Sequence, residues 1–374
     1  MKKVKYIVIN IWKIINNIIY AFLKMFKTKN KITFISRQTN GNSIDFDLII
    51  KEIEKQNIDI DIVVLNKMIE KNIIEKIKYA LYIYYQMYHI VTSKVVIIDG
   101  YCIPVCTLHH KKDLKIIQIW HALGSLKKFG YSILDKKEGS KREIASTMDM
   151  HKNYTYILTS SEFTKQFFKE AFNANDEQMK VIPLPRVDFL KSDLCRKEIN
   201  EKFYNYYNVL KDDNKKKILY VPTFRRNVEN DLNNIINSVN YDKYDLIIKT
   251  HDDTEMVYHT KQKVYSEKTN FSGLELLHVA DYVITDYSAI VYEASIVNKP
   301  TYFYNYDYEK YIEVRGFYID YISEMPGLIS KDIKEILTSI EKDDFDYSRL
   351  QAFRKKHVKD INNCTKEIVD LIMK

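Results

Sequence analysis

Two histidines in the sequence each follow an apolar run that resembles a β-strand. His121 comes directly after K-I-I-Q-I-W (residues 115–120), and His251 ends D-L-I-I-K-T-H (residues 245–251). An imidazole ordinarily titrates near neutrality, so it can take a proton from an attacking hydroxyl or donate a charge-assisted hydrogen bond to phosphate. The first role is predicted for His121 and the second for His251. The alternative is that each histidine is only hydrogen-bonded within a loop.

A third run, T-D-Y-S-A-I-V-Y-E-A-S (residues 285–295), has the pattern of a strand end followed by a helix start. The strand is predicted to end at Asp286, and Ser288 is predicted to cap the helix. A helix N-terminus offers unpaired N–H groups and the positive end of the helix dipole, which together bind phosphate. Glu293, further along this helix, is predicted to reach a ribose hydroxyl.

Basic and hydroxyl side chains follow other predicted strands. Thr223, Arg225 and Arg226 come after a strand in the second half of the chain, where an arginine can pair with a diphosphate. Lys127 and Lys128, shortly after His121, are placed to hold an anionic acceptor. Neither a P-loop nor a G-x-G-x-x-G motif occurs, which argues against NTPase and dinucleotide sites.

The elements that must position these residues alternate along the chain. Continuous Val/Ile runs suit parallel strands buried on both faces, and their alternation with helical patterns is typical of a doubly wound sheet. The predicted strands are residues 32–36, 61–65, 94–99, 115–120, 154–161, 217–224, 245–251, 281–286 and 300–305. Ligands bind beyond the carboxyl ends of such strands. The chain is therefore predicted to be α/β, with two Rossmann-like domains facing a central cleft.

Domain boundaries follow from a change in pattern near Pro183 and Pro185. The predicted domains are an N-terminal membrane-associating amphipathic helix at 1–30, a Rossmann-like domain at 31–190, and a second Rossmann-like domain with terminal helices at 191–374.

Composition narrows the class of partner. The net charge of +8 suits an anionic partner, but the basic residues are spread along the chain, so no nucleic-acid-binding arm is expected. Cys102 and Cys106 lie close to His109 and His110, which raises a zinc alternative. Pro104 intervenes and no second Cys/His pair follows, so reduced thiols are the preferred interpretation and no metal is expected.

Residues 4–26 are strongly apolar, with Asn10, Lys13, Asn17 and Lys24 on one helical stripe. An apolar helix with a narrow polar stripe is typical of a helix lying in the membrane interface. A helix docked on the domain and a true membrane span are the two alternatives.

Taken in order, W-H-A-L-G-S-L-K-K-F-G, Y-V-P-T-F-R, I-I-K-T-H, D-Y-V-I-T-D-Y-S-A-I-V-Y-E-A and the P-T-Y-F-Y-N-Y-D-Y-E-K-Y block with its R-G resemble the CDP-glycerol glycerophosphotransferase family, whose members build teichoic acids. The resemblance covers roughly residues 90–330. It implies a GT-B architecture at the cytoplasmic membrane face, CDP-glycerol or a similar CDP-polyol as donor, a lipid-linked acceptor, and no cofactor. The family resemblance implies that the first Rossmann-like domain binds the acceptor and the second binds the donor.

The resemblance also implies roles for individual residues. His121 becomes the base that activates the acceptor hydroxyl, and His251 lies near the donor diphosphate. The predicted substrate-binding residues are Thr223, Arg225, Lys249, Asp286, Ser288, Glu293, Asp307 and Arg315.

One departure concerns Ala122, because polymerases of this family often have glycine after the first histidine. A primase or short-chain transferase is therefore preferred to a polymerase. The alternatives are a ribitol-phosphate transferase that uses CDP-ribitol, a GT-B glycosyltransferase that uses a nucleotide sugar, and a membrane-surface binding protein whose histidines are structural.

Overall fold

The computed structural model describes residues 2–41, 43–69, 72–211, 214–223, 231–250, 263–267, 270–314 and 316–374. The chain divides into two compact units. Unit 1 comprises residues 1–122, 129–186 and 361–374, and unit 2 comprises residues 123–128 and 187–360.

Unit 1 is built on a six-stranded parallel sheet in the order β2-β1-β3-β4-β5-β6. Its strands are β1 (Lys31–Ser36), β2 (Asp61–Asn66), β3 (Val95–Ile98), β4 (Lys115–Gln118), β5 (Tyr156–Thr159) and β6 (Met179–Val181). The Val/Ile run of β3 is buried on both faces, as continuous apolar strands of parallel sheets are. The strand order reverses between β1 and β3, which makes this pair the topological switch point.

The helices of unit 1 connect these strands and cover the sheet. They are α1 (Lys2–Leu23), α2 (Ile44–Lys55), α3 (Ile73–Val91), α4 (Ile103–Thr107), α5 (Arg142–Thr147) and α6 (Glu162–Phe172). Ser161 caps α6 through a reciprocal capping box with Thr164.

Unit 2 repeats the design with a second six-stranded parallel sheet in the order β12-β11-β10-β7-β8-β9. Its strands are β7 (Lys216–Tyr220), β8 (Tyr244–Lys249), β9 (Tyr265–Glu267), β10 (Tyr282–Thr285), β11 (Thr301–Tyr304) and β12 (Ile329–Ser330). Its core includes Ile218, Leu246 and Ile284, all fully buried. The strand order reverses between β7 and β10.

The remaining helices complete the fold. They are α7 (Arg186–Lys191), α8 (Asp193–Tyr206), α9 (Leu232–Ser238), α10 (Gly273–Val279), α11 (Ile290–Ile296), α12 (Tyr308–Val314), α13 (Tyr321–Glu324), α14 (Ile333–Lys342), α15 (Tyr347–His357) and α16 (Cys364–Met373). Two parallel sheets, each with helical crossovers, confirm the predicted α/β class with two Rossmann-like domains.

The unit boundaries correct the predicted domains at two places. The first is the tail: α16 was predicted to belong to the second domain, but it packs against α2 and belongs to unit 1. Its Cys364, Ile368 and Val369 are fully buried there. The second is the short segment 123–128 after His121, which belongs to unit 2. The predicted division near residue 190 falls close to the observed one at 186/187.

Helix α1 contacts unit 1 through its polar stripe. Lys13 donates to the carbonyl oxygen of Thr147 (2.7 Å), and Asn17 donates to the carbonyl oxygen of Thr107 (3.0 Å). The apolar face points to solvent and includes Ile7, Ile11, Ile14, Ile18 and Phe22. Of the described residues, one helical stretch, Val4–Leu23, is long and apolar enough to cross a bilayer by length and composition. The helix is thus docked on the domain and still exposes an apolar face.

Candidate functional site

The loop that carries His121 has an unusual backbone conformation. Strand β4 ends at Gln118, two residues earlier than predicted, and Trp120 has a φ of 62°. A tryptophan in this left-handed region is uncommon and requires support from its surroundings. The buried Gln118 supplies it: its Oε1 accepts from the backbone N–H of Trp120 (2.9 Å), and its Nε2 donates to the carbonyl oxygen of Gly100 (3.0 Å).

This turn places His121 against the segment that follows β3. Nδ1 of His121 lies 2.9 Å from the carbonyl oxygen of Asp99. A carbonyl oxygen only accepts, so Nδ1 carries the hydrogen and Nε2 is the ring nitrogen with the lone pair. The ring also packs on the indole of Trp120, with 4.1 Å between ring centroids. His121 thus has a fixed tautomer in which Nε2 can accept a proton.

The side chain of Asp99 forms a second polar group at this edge. It is 3% exposed, its Oδ2 accepts from Oγ of Ser36 (2.7 Å), and its Oδ1 has no hydrogen-bond partner among the described residues. Burial raises the pKa of Asp99 to about 6. Asp99 therefore keeps its proton to a higher pH than an ordinary aspartate, next to the histidine that its own carbonyl oxygen orients.

Of the residues in the zinc alternative, the two cysteines are buried free thiols and His110 is hydrogen-bonded within unit 1. Cys102 and Cys106 are buried, and burial raises the pKa of their thiols to about 12 and about 11. His110 donates from Nε2 to the carbonyl oxygen of Val105 (2.7 Å), and its Nδ1 lies 2.9 Å from the hydroxyl of Tyr20 on α1. Within the described part of the chain, no three His, Cys, Asp or Glu residues are grouped to hold a metal ion.

The segment after His121 packs within unit 2. A Cβ at Gly124 would lie 2.3 Å from the ring of Tyr292, so only glycine fits there. Lys127 and Lys128 were predicted to bind the acceptor, yet both lie beside residues 316–318: Lys127 pairs with Phe317 in an isolated β-bridge, and Lys128 donates its backbone N–H to the carbonyl oxygen of Gly316 (3.1 Å). The structure therefore brings these lysines to the unit predicted to bind the donor.

Two predicted residues meet at the switch point of the second sheet. The buried carboxylate of Asp286, just after β10, accepts from the backbone N–H of Thr223 (2.8 Å) and of Tyr287 (2.6 Å). Thr223 follows β7, the neighbouring strand. Asp286 thus joins the two loops at the place where doubly wound sheets bind ligands.

Ser288 and Glu293 follow on the same loop and helix. Ser288 was predicted to cap this helix, but α11 begins at Ile290 with Ala289 in the N-cap position, so Ser288 lies one residue before the observed cap. Its Oγ still accepts from the N–H of Ile290 (3.3 Å). The side chain of Glu293 is buried, at 4% exposed. This burial limits the surface that Glu293 offers to a ribose.

Asp307 and Lys249 are also placed at strand ends of unit 2. Oδ1 of Asp307, after β11, accepts from the hydroxyl of Tyr287 (3.0 Å), and Tyr287 stacks on Tyr311 with 3.9 Å between ring centroids. Lys249 is the last residue of β8. The predicted residues Arg225, Arg226, His251 and Arg315 lie outside the described residues.

The sequence did not single out Asp99 or Gln118 as site residues. Asp99 sits at the end of a predicted strand, which is the same signal that pointed to His121. Gln118 is a polar residue in an otherwise apolar run, a pattern that marks it as unusual without indicating its role.

Comparison with known proteins identifies the family to which this chain is similar. Residues 18–374 match the family described as CDP-Glycerol:Poly(glycerophosphate) glycerophosphotransferase. A teichoic acid ribitol-phosphate primase of Bacillus spizizenii is 31% identical over 315 residues, which is 81% of this chain and 80% of that protein. A teichoic acid glycerol-phosphate primase of Bacillus subtilis is 32% identical over 292 residues, 76% of this chain and 72% of that protein.

A solved structure shares the fold over nearly the whole chain. The wall teichoic acid polymerase TagF, as a histidine variant soaked with CDPG, superposes with a TM-score of 0.76 at 18% identity and covers 99% of this chain and 97% of that one. This likeness confirms the predicted GT-B-like fold class. The family match over almost all of the sequence shows that this chain belongs to the CDP-glycerol:poly(glycerophosphate) glycerophosphotransferase family.

Proposed function

We propose that this protein transfers glycerol phosphate from CDP-glycerol to a hydroxyl of a membrane-associated acceptor and releases CMP, in the synthesis of teichoic acid or a related cell-surface polymer. The family membership supports a CDP-polyol phosphotransferase of teichoic acid synthesis. The observation that carries the chemistry is the hydrogen bond from Nδ1 of His121 to the carbonyl oxygen of Asp99, since it leaves Nε2 as the proton acceptor.

In the proposed reaction His121 acts as the general base. Nε2 takes the proton of the acceptor hydroxyl while the hydroxyl oxygen attacks the β-phosphorus of the donor. A new oxygen–phosphorus bond forms, the bond to the bridging diphosphate oxygen breaks, and CMP leaves with that electron pair. Such phosphoryl transfers depend mainly on positioning and on stabilisation of charge.

The donor is proposed to bind at the β7/β10 switch point of unit 2. The residues at that edge are Thr223, Asp286 and Ser288. The residues proposed to bind the negatively charged phosphates are His251, Arg225 and Arg315. Lys127 and Lys128 belong to unit 2, which favours a donor phosphate over the acceptor as their partner. No cofactor or metal is proposed.

The two candidate donors, CDP-glycerol and CDP-ribitol, differ in the polyol that they carry. One of the two primases above carries ribitol phosphate in its name and the other glycerol phosphate, at nearly equal identity to this chain. CDP-ribitol is therefore the second candidate donor. The preference for a primase drawn from Ala122 stays a prediction.

The test is to incubate the purified protein separately with CDP-glycerol, CDP-ribitol and UDP-sugars, each with and without a lipid-linked acceptor, and to follow nucleotide release. Acceptor-dependent release of CMP from CDP-glycerol supports the proposal, and release from CDP-ribitol instead replaces glycerol by ribitol. Release of UDP alone would identify a glycosyltransferase and overturn the proposal.

We propose a location at the cytoplasmic face of the cell membrane, where the protein binds peripherally. The exposed apolar face of α1 and the net charge of +8 support this location, because interfacial helices combine apolar burial with attraction to anionic lipids.

A further inference from the structure

Arg37 lies at the switch point of the first sheet. It is the first residue after β1, and β1 is paired with β2 on one side and β3 on the other. In doubly wound sheets this is where ligands bind, outside the carboxyl ends of the strands. Residues 99–101 follow β3 and lie at the same edge of the sheet.

The guanidinium of Arg37 is held in place by aromatic and backbone groups. Its Nη1 donates to the carbonyl oxygen of Tyr101 (2.9 Å). Its Cζ lies 5.9 Å from the ring centroid of Tyr79 on α3 and 5.8 Å from that of Tyr101, within the range of cation–π contacts. Two rings and a carbonyl oxygen orient the group but leave its positive charge uncompensated.

No described acidic residue neutralises that charge. Asp45 is buried and lies near Arg37 in the sequence, but its carboxylate pairs with Arg186. Nε of Arg186 lies 3.1 Å from Oδ2 of Asp45. Oδ2 of Asp99 accepts from Ser36. Nε of Arg37 is buried and has no hydrogen-bond partner within the described part of the chain. A buried donor on a charged group costs free energy unless a partner arrives, so an anion is the expected partner.

The position of Arg37 relative to His121 indicates which molecule carries this anionic group. Arg37 binds the carbonyl oxygen of Tyr101 and His121 binds that of Asp99. Residues two apart are separated by at most about 7 Å along an extended chain. An anionic group bound at Arg37 is therefore close enough to belong to the same molecule as the hydroxyl that His121 deprotonates.

We propose that Arg37 binds a phosphate group of the acceptor and thereby holds the acceptor hydroxyl at His121. This inference rests on the proposed function and adds a positioning residue, Arg37, for an acceptor that is a phosphate ester with a free polyol hydroxyl. The planar guanidinium suits phosphate because its N–H groups can bind two phosphate oxygens at once. The phosphate is carried either by a lipid or by a soluble molecule.

The test compares acceptors that differ in the phosphate alone. The probes are dodecyl phosphoglycerol, which has a phosphodiester, 1-O-dodecylglycerol, which has the same chain and glycerol hydroxyls without phosphate, and methyl phosphoglycerol, which has no chain. Binding is measured by titration calorimetry, and transfer by CMP release with acceptor varied at saturating donor. The variants are Arg37→Gln and Arg37→Lys, with the exposed Arg142→Gln in the same unit as control.

We expect Arg37→Gln to weaken binding of dodecyl phosphoglycerol, and to raise its KM, about tenfold to a hundredfold, the effect of losing hydrogen bonds to a charged group. Binding of 1-O-dodecylglycerol and the KM for the donor should not change. Arg37→Lys should restore part of the loss because it keeps the charge without the planar fork. If methyl phosphoglycerol shows the same loss, the dodecyl chain contributes little to binding and a soluble phosphate ester is a sufficient acceptor.

Equal losses for the phosphate and phosphate-free probes, or no loss for either, would overturn the proposal. Circular dichroism melting separates both results from misfolding. If the wild-type protein releases CMP with no acceptor, the proposed function fails, but the calorimetric comparison still decides whether Arg37 binds phosphate.

Discussion

Nδ1 of His121 donates a hydrogen bond to the backbone carbonyl oxygen of Asp99, at 2.9 Å. The acceptor is part of the backbone, so its position is fixed by the fold and its protonation does not change with pH. The bond therefore holds both the orientation of the imidazole and its tautomer. A histidine positioned in this way is prepared to accept a proton at Nε2 before substrate binds.

The hydrogen bonds of Gln118 to Trp120 and Gly100 can be removed without replacing His121. In Gln118→Leu the left-handed Trp120 loses its support, so His121 should shift from its place against Asp99. We expect kcat to fall about tenfold to a hundredfold, the usual effect of misplacing a catalytic group by about 1 Å, while the KM for the donor stays constant. Steady-state kinetics measure both.

The matched control for that variant is Gln166→Leu, an exposed glutamine on α6. It should retain wild-type kinetics. A Gln118→Leu protein that melts like wild type and keeps full kcat would show that the left-handed turn does not depend on this side chain.

The raised pKa of Asp99 predicts a pH dependence of stability. The folded state holds a proton on Asp99 up to about pH 6, whereas the unfolded chain releases it near its ordinary pKa of 3.8. Folding therefore binds a proton between these values, and stability falls as pH rises from about 4 to about 6. Asp99→Asn removes this titration, so the free energy of unfolding of the variant relative to wild type should rise by up to about 3 kcal/mol over that window and then level off.

Urea unfolding at a series of pH values measures this difference. Asp113→Asn, an exposed aspartate in a turn, serves as the control and should show no such trend. Parallel stability curves for Asp99→Asn and wild type across the window would mean that Asp99 has an ordinary pKa in the folded protein.

At the second sheet, Asp286 and Ser288 should respond differently to truncation. Asp286→Ala leaves the backbone N–H groups of Thr223 and Tyr287 without their acceptor, so we expect a loss of about 3 kcal/mol in the free energy of unfolding. Ser288→Ala should cost far less stability and raise the KM for the donor about tenfold. Unfolding and kinetics together separate the two roles, and an unchanged donor KM in Ser288→Ala would remove this serine from the proposed phosphate site.

The exposed face of α1 gives a prediction on membrane binding. In the double variant Ile11→Glu, Ile14→Glu, two exposed apolar side chains are replaced. Lys13, Asn17 and Tyr20, which hydrogen-bond to other parts of unit 1, are kept. Each replacement should weaken binding to anionic phospholipid vesicles about tenfold, the value of burying one such side chain.

Sedimentation with vesicles measures this binding, and activity on a soluble acceptor should survive. Leu194→Glu, which replaces an exposed leucine of α8, is the control. Unchanged sedimentation of the double variant would exclude the apolar face of α1 as the membrane-binding surface.

Much of the fold is visible in the sequence because its longer strands are continuous Val/Ile runs. Strands β6, β9 and β12 were not predicted, since each is only two or three residues long and none forms an apolar run. The same limit applies to α16: its amphipathic pattern predicts a helix, but the unit it packs against depends on contacts far apart in the sequence.

The candidate site is predictable only in part, for a similar reason. His121 is identified by its place after a strand, and Asp286 by the same rule. The left-handed turn at Trp120 is not predictable, because positive φ is rare outside glycine, asparagine and aspartate, and no local pattern announces it. The position of the lysines at 127 and 128 in unit 2 likewise follows from packing around Gly124, which the sequence does not show.

The most direct test of the central claim is the rate of CMP release by His121→Ala with saturating CDP-polyol and acceptor. The side chain of His121 is partly exposed, so the variant should fold like wild type by circular dichroism. Loss of the general base should lower the rate of CMP release by about 10²- to 10⁴-fold. A folded His121→Ala protein that transfers polyol phosphate at a rate near that of wild type would contradict the assignment of His121 as the base.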